Sequence, residues 1–430
     1  MSNAPSIQQE TTGEPDVENP HPIYCVWEIT LQCDLGCNHC GSRAGKSRPG
    51  ELSTEKALDV VHQLSELGVR DVVLIGGEAY LREDWLEIVR EITQCGMDAR
   101  MTTGGRNLSQ ERVDRAAEAG LRSASVSIDG MERTHDELRN ARGAWESAVA
   151  SAERIADSPI DLTFNTQINR ASMPELPDLA NLGVDLGIEA WQIQLTVPAG
   201  RAADRPGLLL QPYELLDLFP MLVWLKKTRL DPNDIFLSPG NNIGYFGPWE
   251  HMLRAGGEFG THWTGCPAGE WSLGLEADGT VKSCPSLPRG PYSGGNLADR
   301  DLSTIMEESD DVNRLQDRTV DDLWGYCADC YYAETCMAGC SWTAPTFFGD
   351  AGNNPYCIHR ALETARSGEQ ERLRKVEDAP GHPFDHGIFE IVREPRDEET
   401  PGDFSSYLLD QVEKLSAVSD DEIDEMLEPA

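Results

Sequence analysis

The sequence predicts an α/β protein built on a partial (β/α)6 barrel, followed by a cysteine-rich C-terminal domain. Three observations predict it. Between Tyr24 and Thr196, apolar segments of strand length alternate with amphipathic helical segments. A glycine falls between a helix end and the next strand at Gly68, Gly96, Gly120 and Gly187, as short αβ turns require. Residues of chemical character gather in the segments that follow strands. Strand–helix alternation implies a parallel sheet with right-handed crossovers. Six units leave such a barrel open, where eight would close it.

The elements follow in order. Tyr24–Thr30 is the first strand. Ser53 caps a helix whose Ala57, Val60, Val61, Leu64 and Leu67 recur at helical spacing. Asp71–Ile75 is the second strand. A helix face of Leu81, Trp85, Ile88, Val89 and Ile92 leads to the strand Asp98–Thr102. Ser109 opens the next helix, Gly120 closes it, and Arg122–Ile128 is extended. Trp145–Ile155 is helical and Leu162–Ile168 extended. Leu176–Leu186 is helical, with Pro177 tolerated in its first turn. Ala190–Thr196 is the sixth strand. The loop after Thr30, Gly76-Gly77-Glu78, Thr102-Thr103, Ser127–Gly130 and Thr196–Gly200 all fall at strand C-termini, the edge on which such barrels carry chemistry.

Residues 1–22 read as a polar, disordered lead-in, and residues 23–210 as the barrel. Residues 211–264 form a bridge that opens with a helix over Gln211–Trp224. Residues 265–366 form a separate cysteine-rich module with few apolar runs, which needs metal to fold. Residues 367–430 are an acidic extension, with short helices at Asp410–Leu415 and Glu422–Leu427.

The chain has 430 residues, with 74 acidic against 36 basic side chains and a formal charge of −38. That excludes nucleic acid as a partner, because phosphate neutralisation needs clustered Lys and Arg. Two readings of the charge stay open: a solvated surface, or attraction of a basic peptide or protein. No apolar run of about twenty residues is evident, so no membrane span is expected. The N-terminus has no apolar export segment, which points to the cytoplasm. In that reducing compartment, tight cysteine spacings favour metal ligation over disulfides.

Ten of the twelve cysteines form two arrays. The first is Cys33-x3-Cys37-x2-Cys40. The second is Cys266, Cys284, Cys327, Cys330, Cys336, Cys340 and Cys357. Three thiolates on one short loop hold three irons of a four-iron cluster and leave the fourth open for chemistry. A zinc site is the rival. The first array lacks the paired knuckles of zinc, whereas the downstream C-x2-C suits either metal. Cys25 and Cys95 read as buried structural thiols, and His262, Trp263 and Trp271 as core packing.

The first array, with Gly76-Gly77-Glu78 after the second strand, resembles the radical S-adenosylmethionine (SAM) superfamily. The order Cys266-x12-Gly279-x4-Cys284, Cys327-x2-Cys330-x5-Cys336-x3-Cys340 and Cys357 resembles the SPASM subfamily. The resemblance covers Tyr24 to Arg360. It implies a TIM-like partial barrel with three [4Fe-4S] clusters, one SAM-binding and two auxiliary. Cys33, Cys37 and Cys40 would hold the first cluster. Gly76 and Gly77 would let backbone approach the methionine end of SAM, and Glu78 would accept from its amino group. Ser127 and Arg139 match SAM-contacting positions, His39 lies near adenine, and Leu195 is an apolar adenine wall. Cys266, Cys284 and Cys340 would serve one auxiliary cluster, and Cys327, Cys330, Cys336 and Cys357 the other. The implied activity is reductive cleavage of SAM and hydrogen abstraction by the 5′-deoxyadenosyl radical from a ribosomally made precursor peptide. The electron would come from an external flavodoxin- or ferredoxin-type reductant. Haem or quinone-cofactor chemistry and sulfatase maturation are the alternatives. Sulfatase-maturing members carry a basic aspartate directly after the G-x4-C cysteine. Here that position is Pro285, which favours crosslinking or another peptide-directed reaction. No residue is assigned as catalytic base.

Overall fold

The computed structural model of the chain describes residues 21–240, 243, 246–254 and 265–396. The lead-in before residue 21, His262, Trp263 and the helices expected at Asp410–Leu415 and Glu422–Leu427 lie outside these residues.

Six strands form the parallel core as the alternation predicts: β1 (Tyr24–Thr30), β2 (Asp71–Gly76), β3 (Asp98–Thr103), β4 (Leu121–Ser127), β5 (Asp161–Ile168) and β6 (Ala190–Leu195). The helices between them are α1 (Thr54–Glu66), α2 (Trp85–Gln94), α3 (Gln110–Ala119), α4 (Glu132–Arg139), α5 (Ala144–Ala156) and α6 (Leu176–Leu186). Ser53 Oγ accepts from Lys56 N and Ser109 Oγ from Arg112 N, satisfying donors that a helix start otherwise leaves orphaned. Gly120 ends α3 at φ +95°, a left-handed turn that its missing Cβ permits. The polar α4 has too few apolar positions to show in a periodicity reading.

The sheet is wider than six strands. Its order is β10-β9-β8-β1-β2-β3-β4-β5-β6-β7. β7 (Phe236–Pro239) runs parallel beside β6, and β8 (Ser272–Leu275) parallel beside β1. β9 (Thr280–Lys282) and β10 (Ser293–Asn296) continue antiparallel. β7 and β8 are not neighbours, so the barrel stays open. The cysteine-rich segment therefore shares the barrel's sheet, which its three short strands extend beyond β1.

Strand alternation divides the sheet into two faces. Val72, Leu74, Ala99, Met101, Ala124, Val126, Phe164, Trp191 and Ile193 are buried in the main core with the inner sides of the helices. The opposite face carries Arg100, Thr102, Ser123, Ser125, Ser127, Thr163, Asn165, Gln192 and Gln194. A polar inner face is the lining of a ligand chamber, not of a packed core.

Two expectations change. Residues 369–395, expected only as part of an acidic extension, contain an antiparallel hairpin of β11 (Glu369–Glu377) and β12 (Ile388–Pro395). Charge pairs across it, Arg372–Glu394, Arg374–Glu390 and Arg393–Glu371, replace the apolar alternation that marks a strand. Second, Pro206–Asn233 is a 28-residue helical stretch of mean hydropathy 1.3 over its most apolar window, long and apolar enough by length and composition to cross a membrane. It contains α7 (Leu215–Leu225) between short turns, and 67% of that window is buried within this protein. Its apolar residues, Leu215, Leu218, Phe219 and Leu222 among them, belong to the main core.

Candidate cluster and cofactor sites

The first cysteine array lies on a ring pinned at its neck. Cys33 N donates to Gly45 O at 3.2 Å, and Gly45 N to Leu31 O at 3.0 Å. Arg201, from the segment after β6, donates to Cys37 O at 2.7 Å and to Ala44 O at 3.1 Å. Within the ring, Cys33, Cys37 and Cys40 pack together with Leu35 and Ala144. Burial pushes the Cys33 thiol up to about 12 and raises Cys37 as well. Leu35 N donates to Cys33 Sγ at 3.4 Å, and Arg139 Nη1 to Cys37 Sγ at 3.8 Å. Three clustered sulfurs, one buried and two half-buried, with donors already aimed at two of them suit thiolates held by a metal.

Glu78 is 2% exposed. Its Oε2 accepts from Gly104 N at 2.8 Å, while Oε1 has no partner among the described residues. Burial raises its carboxyl to about 8, against the lowering pull of the Gly104 bond. The two glycines before it have a different cause from the one expected. A Cβ on Gly76 would lie 2.1 Å from Thr30 O, and one on Gly77 2.2 Å from Gln32 O. They are required by the close approach of the β1 and β2 ends. That approach is fixed by Gly77 N→Thr30 O and Glu78 N→Gln32 O, both 2.8 Å.

Asp129 is the hub that sequence reading missed as a site residue. Arg139 Nη2 lies 2.5 Å and His39 Nε2 3.1 Å from its Oδ2. Oδ1 accepts from Gln167 N at 2.9 Å, and its backbone N donates to His135 Nδ1 at 3.2 Å. Burial alone would raise the Asp129 carboxyl, but Arg139 and His39 hold it well below the usual range. Burial, reinforced by Arg139, lowers His135 to about 3, so this imidazole is neutral. The only sequence signal was Ser127-Ile128-Asp129-Gly130 at a strand end. His39 thus contributes its side chain to the hub, and Arg139 is shared between Asp129 and Cys37. Ser127 ends β4, half-buried on the polar face. Leu195 is fully buried in the core, on the strand face of Trp191 and Ile193, and the structure does not bring it to the polar face.

Several buried polar atoms around the strand C-termini lack hydrogen-bond partners among the described residues: Glu78 Oε1, His39 Nδ1, Arg139 Nε, Ser125 Oγ, Asn165 Oδ1 and Thr196 Oγ1. Buried polar groups are normally paired. A set of orphans beside three thiols fits a polar, zwitterionic ligand such as SAM.

The downstream thiols separate into two groups. Cys284 and Cys266 pack with Trp342, and Cys340 packs with Cys266 and Trp342. Burial raises Cys284 to about 11 and Cys340 to about 12, each raised further by the other thiols of this group. Cys327, Cys330, Cys336 and Cys357 line one cavity, closed by Tyr326 and Tyr332. Phe246 stacks on Tyr332 at 4.3 Å, and Asn354 N donates to Cys327 Sγ at 3.4 Å. Cys336 lines this cavity and lies where the two groups meet, since it also packs against Cys340, its near neighbour in sequence. Met337, Ala338 and Gly339 between them have φ of +50°, +59° and +66°. Three consecutive left-handed residues reverse the chain tightly, at about 1–2 kcal/mol for each non-glycine. Cys25 is fully buried as expected, whereas Cys95 is half-buried, with Sγ 3.6 Å from His62 Nδ1. Lys282, fully buried, donates to Pro285 O at 2.9 Å and Leu287 O at 2.7 Å, fixing the loop after Cys284.

The fold and these thiol groups define an α/β-barrel protein built to hold iron–sulfur clusters. Residues 27–180 match the radical SAM superfamily, and residues 266–331 match the iron-sulfur cluster-binding SPASM domain. The chain is 29% identical over 350 residues to an AdoMet-dependent heme synthase of Methanosarcina barkeri, covering 79% of this chain and 97% of that protein. It is 26% identical over 365 residues to a mycofactocin maturase of Mycobacterium tuberculosis, covering 83% and 88%. In fold it resembles SuiB of Streptococcus suis, solved bound to S-adenosylmethionine, with a TM-score of 0.62 at 15% identity over 79% of this chain and 76% of that one. The chain belongs to the radical SAM superfamily and carries a SPASM domain. It is a radical SAM enzyme, and its two domains are of kinds that bind [4Fe-4S] clusters.

Proposed function

We propose that the chain is a maturase that modifies a ribosomally synthesised peptide. The observation that carries this reading is the polar inner face of the sheet, with Ser125 Oγ, Asn165 Oδ1 and, just past β6, Thr196 Oγ1 buried without partners among the described residues. An amide-rich chain satisfies such donors and acceptors, whereas a flat apolar macrocycle leaves them orphaned. The formal charge of −38 favours a basic peptide over a polyanionic substrate.

In this reading Cys33, Cys37 and Cys40 hold the SAM-binding cluster. The other seven thiols hold two auxiliary clusters, divided as Cys266, Cys284, Cys340 and Cys327, Cys330, Cys336, Cys357. Bound SAM and its cluster supply a carbon radical able to take hydrogen from an unactivated C–H bond. The chain's own residues bind and orient. Glu78 Oε1 accepts from the ammonium group. Arg139, anchored by Asp129, presents Nε toward the carboxylate. His39, Gly76, Gly77 and Ser127 complete the SAM contacts; Leu195, buried on the core face of its strand, is left out of them. The polar face positions the peptide carbon. The enzyme works in the cytoplasm with a flavodoxin- or ferredoxin-type reductant, and without nucleic acid.

A second reading, action on a haem precursor, is favoured by the alignment with almost the whole length of the heme synthase. Co-expression with a library of candidate precursor peptides, read by mass spectrometry, separates the two. A mass change on a peptide that requires Cys33 supports the maturase. Unchanged peptides, together with conversion of a haem precursor by the reconstituted enzyme, would transfer the assignment to the second reading.

A further inference from the structure

The segment 378–387 joining β11 to β12 reaches back to the barrel mouth. Phe384 N donates to Gly41 O at 3.0 Å, and Gly200 N donates to Asp385 O at 2.7 Å. Gly41 directly follows Cys40, and Gly200 lies in the segment after β6. The hairpin tip therefore bridges the first and last loops of the six-stranded barrel. His386 adds an antiparallel bridge to Ala199.

The tip's carboxylate, Asp385, has a side chain only 6% exposed. Its Oδ1 accepts from Arg43 Nε at 2.8 Å. Its Oδ2 accepts from His382 N at 2.9 Å and from Gly381 N. Arg43 Nη1 also lies 2.6 Å from Oδ2 of Asp204, from the segment after β6. One guanidinium is thus held between two carboxylates, one from the tip and one from the barrel. Arg43 stands three residues after Cys40 and donates its N to Cys40 O at 3.3 Å. Its φ is +49°, a conformation that L residues keep only where their surroundings enforce it. On the tip's other side, Phe384 lies over Lys282 Nζ, 4.2 Å from the ring centroid.

We propose that the hairpin tip is a clamp that keeps the Cys33–Cys40 loop in its metal-holding shape, with Asp385 acting through Arg43 as the positioning residue. The inference rests on the reading that this loop carries a cluster. A loop held from both barrel ends loses little conformational freedom when metal binds, and it releases metal slowly. Asp385 touches neither ligand sulfur nor substrate. It acts by holding Arg43, and with it the backbone that leaves Cys40.

The test uses the full chain, reconstituted anaerobically with iron and sulfide. Iron release to a chelator, the electron paramagnetic resonance spectrum of the reduced protein with and without SAM, and Tm are compared between the parent and Asp385→Asn, Arg43→Gly and Cys33→Ala. The release phase missing in Cys33→Ala identifies the first cluster. Asp385→Asn keeps the side chain's shape but removes the charge. It should speed that phase about tenfold, the scale of one lost charge-assisted bond, and alter the SAM-dependent spectrum. Arg43→Gly relieves the backbone strain but removes the guanidinium, and should speed the same phase without lowering Tm. An unchanged phase and spectrum in Asp385→Asn, or slower release in Arg43→Gly, overturns the clamp. Equal iron content in parent and Cys33→Ala removes the cluster reading itself and the clamp with it.

Discussion

The two cysteine regions of this molecule are built in opposite ways. Cys33, Cys37 and Cys40 sit on a ring closed by backbone hydrogen bonds at the end of a buried parallel strand. The seven downstream cysteines lie among short strands, turns and short helices; strands β8 and β9 and residues such as Ile305, Phe347 and Ile358 join the main core, whereas the segment around Cys327–Cys340 has only small satellite cores. In the first region the sheet shapes a site that the proposed cluster would fill. In the second, thiols stand where the segment around Cys327–Cys340 has little packing of its own, so bound metal would supply cohesion there. On the proposed reading, the same ligand chemistry would serve reactivity in one place and stability in the other.

Metal removal should break the molecule along this line, and it is the largest effect expected. In the chelated chain, residues 323–341, which lie outside the main core, should exchange amide hydrogens and be cut by protease at rates near those of an unfolded chain. β2 to β6 should stay protected. Uniform protection across both regions would contradict the comparison.

Single cysteine changes sharpen it. Cys327→Ala should lower stability by more than about 3 kcal/mol, because it removes a ligand from a metal-built core. Cys33→Ala should change stability by less than about 1 kcal/mol. SAM cleavage should show the reverse ranking, abolished in Cys33→Ala. Denaturation and product chromatography on both variants decide it.

Glu78 gives a pH signature confined to the barrel. Burial lifts its carboxyl from 4.5 to about 8, so the fold favours the protonated form. Its contribution to stability is complete below the unfolded value and is lost as pH rises through about 8. The metal-free chain should therefore lose about 1.4 kcal/mol per pH unit across that window relative to Glu78→Gln. Parallel Tm curves for the two proteins would remove this assignment. The smallest effect belongs to the reversal between Cys336 and Cys340. Ala338→Gly, at φ +59°, should raise stability by about 0.5–1 kcal/mol, read from thermal unfolding.

Much of the barrel was legible because its helices bury regular apolar faces and its turns end on glycine. β1 and α6 were placed at their observed limits and the other five parallel strands within one residue, whereas the helix expected from Gln211 begins at Leu215. α4 and the β11–β12 hairpin were hidden for one physical reason: their stability comes from charge pairing and caps, which hydropathy does not register. The sites divide likewise. Cysteine spacing exposes the ligand arrays, because metal geometry constrains sequence distance. The hub at Asp129 was not legible, because His39, Asp129, His135 and Arg139 meet only in three dimensions. Gly76 and Gly77 were singled out for an approach to SAM; the structure shows a requirement of the fold itself, set by Thr30 O and Gln32 O.

The most direct test of the central claim is iron content after anaerobic reconstitution, coupled to 5′-deoxyadenosine release on reduction with SAM. The account predicts about twelve irons per chain. About four should be lost in Cys33→Ala together with all SAM cleavage, and about four in Cys327→Ala. Zinc in place of iron, or cleavage that survives Cys33→Ala, would contradict it.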